Sequence, residues 1–445
     1  MWHAEDSKGG DASTTAKYDR EVVPTMATRW FALSTRPTRT FVGRPASAVV
    51  AALLVACSGG EGGLENHDAT TERTPPISTP ATPVPTSGTS PTSVTQPTPE
   101  TTIAAGDHTV PTTTAGEQVT PAAWEPIDPA SGRWLAFTSE RTGSRELFAI
   151  DVGTGDERQL TDQVTEIYQP AWSPDGSMIA FQCPNAAEPT DPDSGLGPTD
   201  ICAVAVDTGE IVRLTDDAAP DQRPTWSPDS SQVAFITIDD DGARVRSAEV
   251  SGSEPRLVAE GLAPAWSPDG SELAVVGITG ELAVVDVASG ERRPLTDTGT
   301  PSANPAWSPD GTAIAFACAD GEPDPEDLMP RTDICVIAAD GTARRSLADG
   351  GSIDSDPAWS PDGTAIAFTS GEFLIAGTEI IVAPAAGGSP RAIGSGYSPV
   401  WSPDGRSLAI VAGTGGIQLI DGETGDTSVV SVDSTVGALT WAPIG

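Results

Sequence analysis

An aspartate and a tryptophan recur together along this sequence, and these are residue types from which metal sites and ring-stacking sites are built. The phrase is AWSPDG at Ala171 to Gly176, TWSPDS at Thr225 to Ser230, AWSPDG again from Ala265, Ala306 and Ala358, and VWSPDG from Val400. If they converged, Asp175, Asp229, Asp269, Asp310, Asp362 and Asp404 would make a ring of carboxylates. Trp172, Trp226, Trp266, Trp307, Trp359, Trp401 and the degenerate copy at Trp441 would offer aromatic faces to a sugar or a base. The context assigns them plainer roles. In Ser-Pro-Asp-Gly the proline presets one turn angle, the aspartate bonds nearby backbone, and the glycine takes the left-handed conformation, so each aspartate is expected to form a turn. One tryptophan at a fixed place in every copy is expected to pack one unit against the next.

Cysteine is the second candidate. Cys183 and Cys202 flank one acidic, proline-rich insertion, and Cys318 and Cys335 flank another. Each pair lies on segments expected to be antiparallel neighbours, which predicts the disulfides Cys183–Cys202 and Cys318–Cys335, each worth roughly 3 kcal/mol. The rival, four thiolates on one metal, requires two different repeats to converge. Between the cysteines, Asp191, Asp193, Glu322, Asp324, Glu326 and Asp327 are candidate contacts for calcium or a basic partner, although no EF-hand spacing is present. No cofactor is otherwise expected.

What is missing narrows the chemistry further. His3, His67, His108, Lys8 and Lys17 are all the histidines and lysines of the chain, so the repeats have neither. A Ser-His-Asp triad, a histidine-ligated zinc, a P-loop lysine and a Schiff-base lysine are unavailable there. A net charge of -39 opposes nucleic acid, which is held by basic surface, and opposes adhesion of the folded part to anionic lipid.

These residues must be held by short strands. The tryptophans are spaced by 54, 40, 41, 52, 42 and 40 residues, a period typical of propeller blades. An apolar triplet follows each turn, as in Ile179-Ala180-Phe181, and Leu135-Ala136-Phe137 supplies one that no phrase precedes. Strands and Gly-rich turns between Phe137 and Asp162 complete a four-stranded unit. If Gly437 to Pro443 lies beside Leu135 to Phe137, the ring closes with both chain ends in one blade. The expected fold is all-β, a seven-bladed β-propeller over residues 124–445, with six blades and one irregular unit as the alternative. Ser230 in place of glycine, and Ala442 to Ile444 in place of Ser-Pro-Asp-Gly, predict less regular turns in those two units.

The WSPDG phrase, the FTSERTG stretch from Phe137, the Leu147-Phe148 strand and the Leu160-Thr161-Asp162 ending resemble the TolB-like propeller repeat, also called PD40 or WD40-like. The resemblance covers about Phe137 to Pro443 and implies a fold more than a function, because the repeat occurs in periplasmic translocation proteins, lipoproteins and the propeller halves of some peptidases. Where TolB carries an α/β domain before its propeller, this chain has a Thr/Pro-rich tract.

Residues 1–57 have the pattern of a lipoprotein signal, with Met26 as the alternative start: four arginines after Met26 (Arg29, Arg36, Arg39 and Arg44), the apolar run Ala46 to Ala56, and Leu54-Val55-Ala56-Cys57, which resembles the bacterial lipobox. Residues 58–123 lack the apolar side chains to offset ordering entropy and are expected to form a disordered tether, about 200 Å long if fully polyproline II. The function expected is that of an exported, monomeric, non-enzymatic platform on the cell envelope, lipid-anchored, binding a protein or an envelope polymer. A propeller hydrolase or glycan lyase and a small-ligand or calcium sensor are the alternatives. Cys57→Ala is expected to shift the protein from the membrane to the soluble fraction; continued retention with a lipid label would refute lipidation there.

Overall fold

The computed structural model describes residues 127–444, apart from 163, 165, 186–197, 240, 320–330, 349–350, 372–377, 432 and 434. Cys57, the tether and all six loop acids named above (Asp191, Asp193, Glu322, Asp324, Glu326, Asp327) lie outside the described residues.

Within them the chain is almost entirely antiparallel strand, in five sheets of four strands and one of seven. The first complete unit shows the pattern. Tyr168–Trp172 leads into the Ser-Pro-Asp-Gly turn, Met178–Pro184 returns beside it, Thr199–Ala205 pairs with that strand, and Ile211–Arg213 forms the outer edge. Chain direction then sorts the connections: the Ser-Pro-Asp-Gly turns end one face, and the hairpins between second and third strands end the other. We call these the turn face and the loop face.

The seven-stranded sheet has a physical explanation in one long strand. Arg391–Trp401 pairs with Glu379–Pro384 through Arg391 to Ser395, then with Ser407–Ala412 through Gly396 to Trp401. It is the outer strand of one four-stranded unit and the first strand of the next.

First strands pack on first strands in a closed cycle: Tyr168–Trp172, Asp221–Trp226, Leu262–Trp266, Ser302–Trp307, Ile353–Trp359, Arg391–Trp401, Leu439–Trp441, and back to the beginning. This is the arrangement of a β-propeller, with first strands around a central channel. Closure follows the expected register, since Leu439–Trp441 pairs with Trp134–Ser139 through Leu135↔Trp441, Ala136↔Thr440 and Phe137↔Leu439. The alternation of the second strands explains the core. Phe137, Phe181, Phe235, Phe316 and Phe368, one from each of five triplets, are fully buried between neighbouring sheets.

The tryptophans are the mortar between units. Trp226 Nε1 donates to the carbonyl of Ala171 in the preceding unit at 2.9 Å, and the same bond runs from Trp266 to Thr225, Trp307 to Ala265, Trp359 to Ala306, Trp401 to Ala358 and Trp441 to Val400. Trp172 differs: its Nε1 donates to Gly176 in its own turn at 3.1 Å. At that seam the preceding first strand comes from the other end of the chain. Pro129, in a short 3-10 turn at Pro129–Ser131, sits 2.7 Å from where a Cβ at position 176 would lie, so glycine is needed there for space as well as for its φ of 75°.

The expectation for Ser230 is corrected. Ser230 adopts a φ of 59° and donates its N–H to the Ser227 carbonyl at 2.9 Å, matching Gly176 on Ser173, so the turn is regular and serine bears the strain. Removal of residues 438–445 deletes the closing strand and uncovers the edge of Trp134–Ser139. Light scattering is expected to show association or aggregation of that variant; a monomer with unchanged melting would contradict closure by this strand.

Candidate functional site

The sequence candidates resolve first. Ser173 Oγ donates to Asp175 Oδ1 at 2.7 Å, the same oxygen accepts the Ser177 N–H at 3.0 Å, and Ser173 Oγ accepts the Met178 N–H at 2.9 Å. The other phrases repeat this, for example Ser308 Oγ on Asp310 and Ser360 Oγ on Asp362, both at 2.6 Å. The serine hydroxyl is the main reason why Asp269, Asp310 and Asp362 are held below the usual carboxylate range. These aspartates are ionised turn-formers with their acceptor capacity spent locally. Among the described residues no group of three or more His, Cys, Asp or Glu is disposed to hold a metal ion.

The cysteines are joined as expected, Cys183 to Cys202 and Cys318 to Cys335, with Cα separations of 5.9 and 5.8 Å. Each bond is diagonal. Cys183 stands opposite Asp200 and Cys202 opposite Phe181, and the second pair repeats that register. The bonds therefore pin the hairpin bases at the loop face.

A further cluster of polar residues lies on the first strands. Six of the first strands, all but Leu439–Trp441, carry a bulge three residues before the tryptophan, and the bulged residue has a left-handed φ: Gln169 51°, Arg223 57°, Ala263 51°, Asn304 47°, Asp356 54° and Ser398 52°. A proline follows every one of them. Without an N–H, proline cannot continue the ladder, which accounts for a bulge at this point. Left-handed backbone at non-glycine residues costs about 1 kcal/mol or more each and clusters at functional positions.

Five of the six are polar, and they sit partly buried on the innermost strands, around the channel. They also touch one another. Gln169 Oε1 accepts the Arg223 N–H at 3.0 Å, Arg223 Nη1 donates to Asn304 Oδ1 at 3.2 Å, and Asn304 Nδ2 donates to Asp356 Oδ1 at 2.6 Å. The Arg223–Asn304 bond passes over the unit between them, whose bulge residue is the small, buried Ala263. Burial pushes the Asp356 carboxyl up, with Arg223 opposing that shift. The signal in the sequence was internal: in the phrase x-Pro-x-Trp-Ser-Pro-Asp-Gly, the first position is the one that changes character in every copy.

Two buried carboxylates lie nearer the loop face. Asp221 begins its strand, Asp354 stands at the equivalent place, and their carbonyls accept from Thr199 Oγ1 and Thr332 Oγ1, the threonines that follow the two cysteine-bracketed loops. Asp221 Oδ1 accepts from Thr237 Oγ1 at 2.6 Å, while Oδ2 is buried without a hydrogen bond. Burial pushes Asp221 up to about 6 and raises Asp354. Asp200, ion-paired with Arg213, is also pushed up to about 6, chiefly by burial.

Fold and site together define a β-propeller with a polar channel. The family model of the TolB beta propeller domain, PD40, matches residues 96–261 and 236–445, and the chain belongs to that family. It is 30% identical over 165 residues to the Uncharacterized peptidase YuxL of Bacillus subtilis, a match covering 30% of this chain and 24% of that protein. The chain thus spans about a quarter of that relative's length. Among solved structures, a putative TolB from Agrobacterium tumefaciens is similar at 19% identity and a TM-score of 0.44, covering 61% of this chain and 95% of that one. An oligogalacturonate lyase in complex with manganese is similar at 18% identity and a TM-score of 0.47, covering 66% and 84%.

A carboxyl raised from 3.8 to about 6 in the folded state favours folding when protonated, so its charging costs stability as pH rises from about 4 to about 6. For Asp221 that cost is about 3 kcal/mol at most. Asp221→Asn is expected to raise the melting temperature at pH 7.5 and to change it little at pH 4; a destabilised variant at pH 7.5 would contradict the uncompensated charge.

Proposed function

We propose that this chain is a seven-bladed, extracytoplasmic propeller, anchored through Cys57, whose loop face is a non-enzymatic binding platform for a protein or an envelope polymer. The count of seven is supported by the long strand Arg391–Trp401, which serves two four-stranded units. The observation that carries the reading is a division of labour within the repeat. The constant phrase is used up in turns and inter-unit bonds, whereas the features that differ between units face the loop side or the channel. Those features are the two disulfide-pinned hairpins and the variable bulge residues. Insertions held by a rigid scaffold are where specific contacts concentrate.

A second reading is favoured by one observation. Arg223 and Asp356 face the same channel, and a raised carboxyl beside a guanidinium is the equipment of a hydrolase or lyase. The two readings separate experimentally. With the full chain in detergent, replacement of residues 186–197 and 320–330 by short Gly-Ser linkers, the cysteines kept, is expected to abolish cross-linking to an envelope component that the parent captures. Turnover of a glycan or peptide by the purified parent, lost in Asp356→Asn, would overturn the platform in favour of the enzyme.

A further inference from the structure

The bulge ring has a composition that selects among ligands. It holds one cation, Arg223, one anion, Asp356, and the neutral polar groups of Gln169, Asn304 and Ser398, with Asn304 bridging the two charges. We infer that this ring is a binding site for a neutral polyhydroxylated ligand, the end of an uncharged saccharide chain, which enters the Arg223–Asn304–Asp356 chain through its hydroxyl groups.

Arg223 donates only and Asp356, when ionised, accepts only; Asn304 bridges them because an amide does each at a different atom, and Ser355 Oγ also donates to Asp356 Oδ2 at 3.1 Å. A cationic ligand drawn to Asp356 would compete with Asn304 and leave a guanidinium facing a like charge. An anionic ligand drawn to Arg223 would do the converse to Asp356. Either outcome sets like charges against each other inside the ring, which is costly where water is scarce. A hydroxyl donates and accepts at once. It can stand between Asp356 and Arg223, or extend the chain toward Ser398 and Gln169, while both charges keep partners.

Two further observations agree. Burial pushes the Asp356 carboxyl up, so the channel around it solvates charge weakly and penalises a ligand bringing net charge. Ala263 leaves the space between Arg223 and Asn304 free of a larger side chain, and the other arc of the ring carries the small Ser398. The strain of six left-handed residues sets these side chains on rigid inner strands, the pre-organisation that weak hydroxyl contacts require.

This inference rests on the binding-module reading, yet it fails separately from it, because the hairpin replacements leave the ring untouched. The test is calorimetric titration of the detergent-solubilised full chain with maltotriose, cellotriose and chitotriose, against trigalacturonate as the anion and spermidine as the cation. At least one neutral trisaccharide is expected to bind saturably, and Asn304→Leu to weaken it about tenfold or more. Ser398→Trp keeps the Arg223–Asn304–Asp356 chain, adds bulk on the opposite arc and is expected to weaken binding to a similar extent, which keeps the test decisive if Asn304→Leu fails to fold. Absence of saturable binding by all three neutral sugars, or tighter binding of trigalacturonate or spermidine than of any of them, would overturn the inference.

Discussion

The bond from a tryptophan Nε1–H to the backbone carbonyl just before the preceding unit's tryptophan is the interaction on which the ring depends. It recurs at six seams with lengths of 2.9 to 3.2 Å. A single such bond contributes only about 1 kcal/mol net. Its importance is geometric, because it fixes each unit's first strand against the next at a constant offset while the indole ring fills the space between sheets. A fixed offset repeated around a cycle closes the sheets on themselves, and closure leaves no first strand exposed. The seam at Trp172 is held differently: the indole N–H is spent on the Gly176 carbonyl of its own turn, and the bond across the seam is that of the Trp172 N–H to Thr440 Oγ1 at 3.3 Å. There the two ends of the chain meet and the repeat cannot supply its own predecessor.

Much of this was legible in the sequence because the determinants are local. The Ser-Pro-Asp-Gly turn needs only residues within five positions of one another, so Asp175 and its counterparts could be assigned as turn-formers and are found so. The disulfides and the closing strand involve longer separations, but each followed from pairing neighbouring strands in a repeated pattern. Ser230 was misjudged for the same local reason: propensity disfavours a left-handed serine, and the surrounding hairpin imposes it.

The bulge ring was not legible from periodicity, because its meaning lies in contacts between units. Arg223 and Asn304 are 81 positions apart and become partners only once the cycle has formed. Their trace in the sequence is the opposite of a motif, a position that varies inside a phrase that does not. The loop acids stand at the other limit. Asp191, Asp193, Glu322, Asp324, Glu326 and Asp327 were singled out by departure from the repeat, and they fall outside the described residues. Frame and function are thus written in different ways: the frame in residues that repeat, the specificity in residues that differ between copies at equivalent places.

The inter-unit indole bonds hold the ring, and their hydrogen exchange can be followed by nitrogen-15 NMR of the tryptophan side chains. The Nε1–H groups of Trp226, Trp266, Trp307, Trp359, Trp401 and Trp441 are expected to exchange together, at the rate set by global unfolding, since no seam opens without the cycle opening. Independent exchange of these six, each at its own faster rate, would show units that open singly and would contradict a ring held by these bonds.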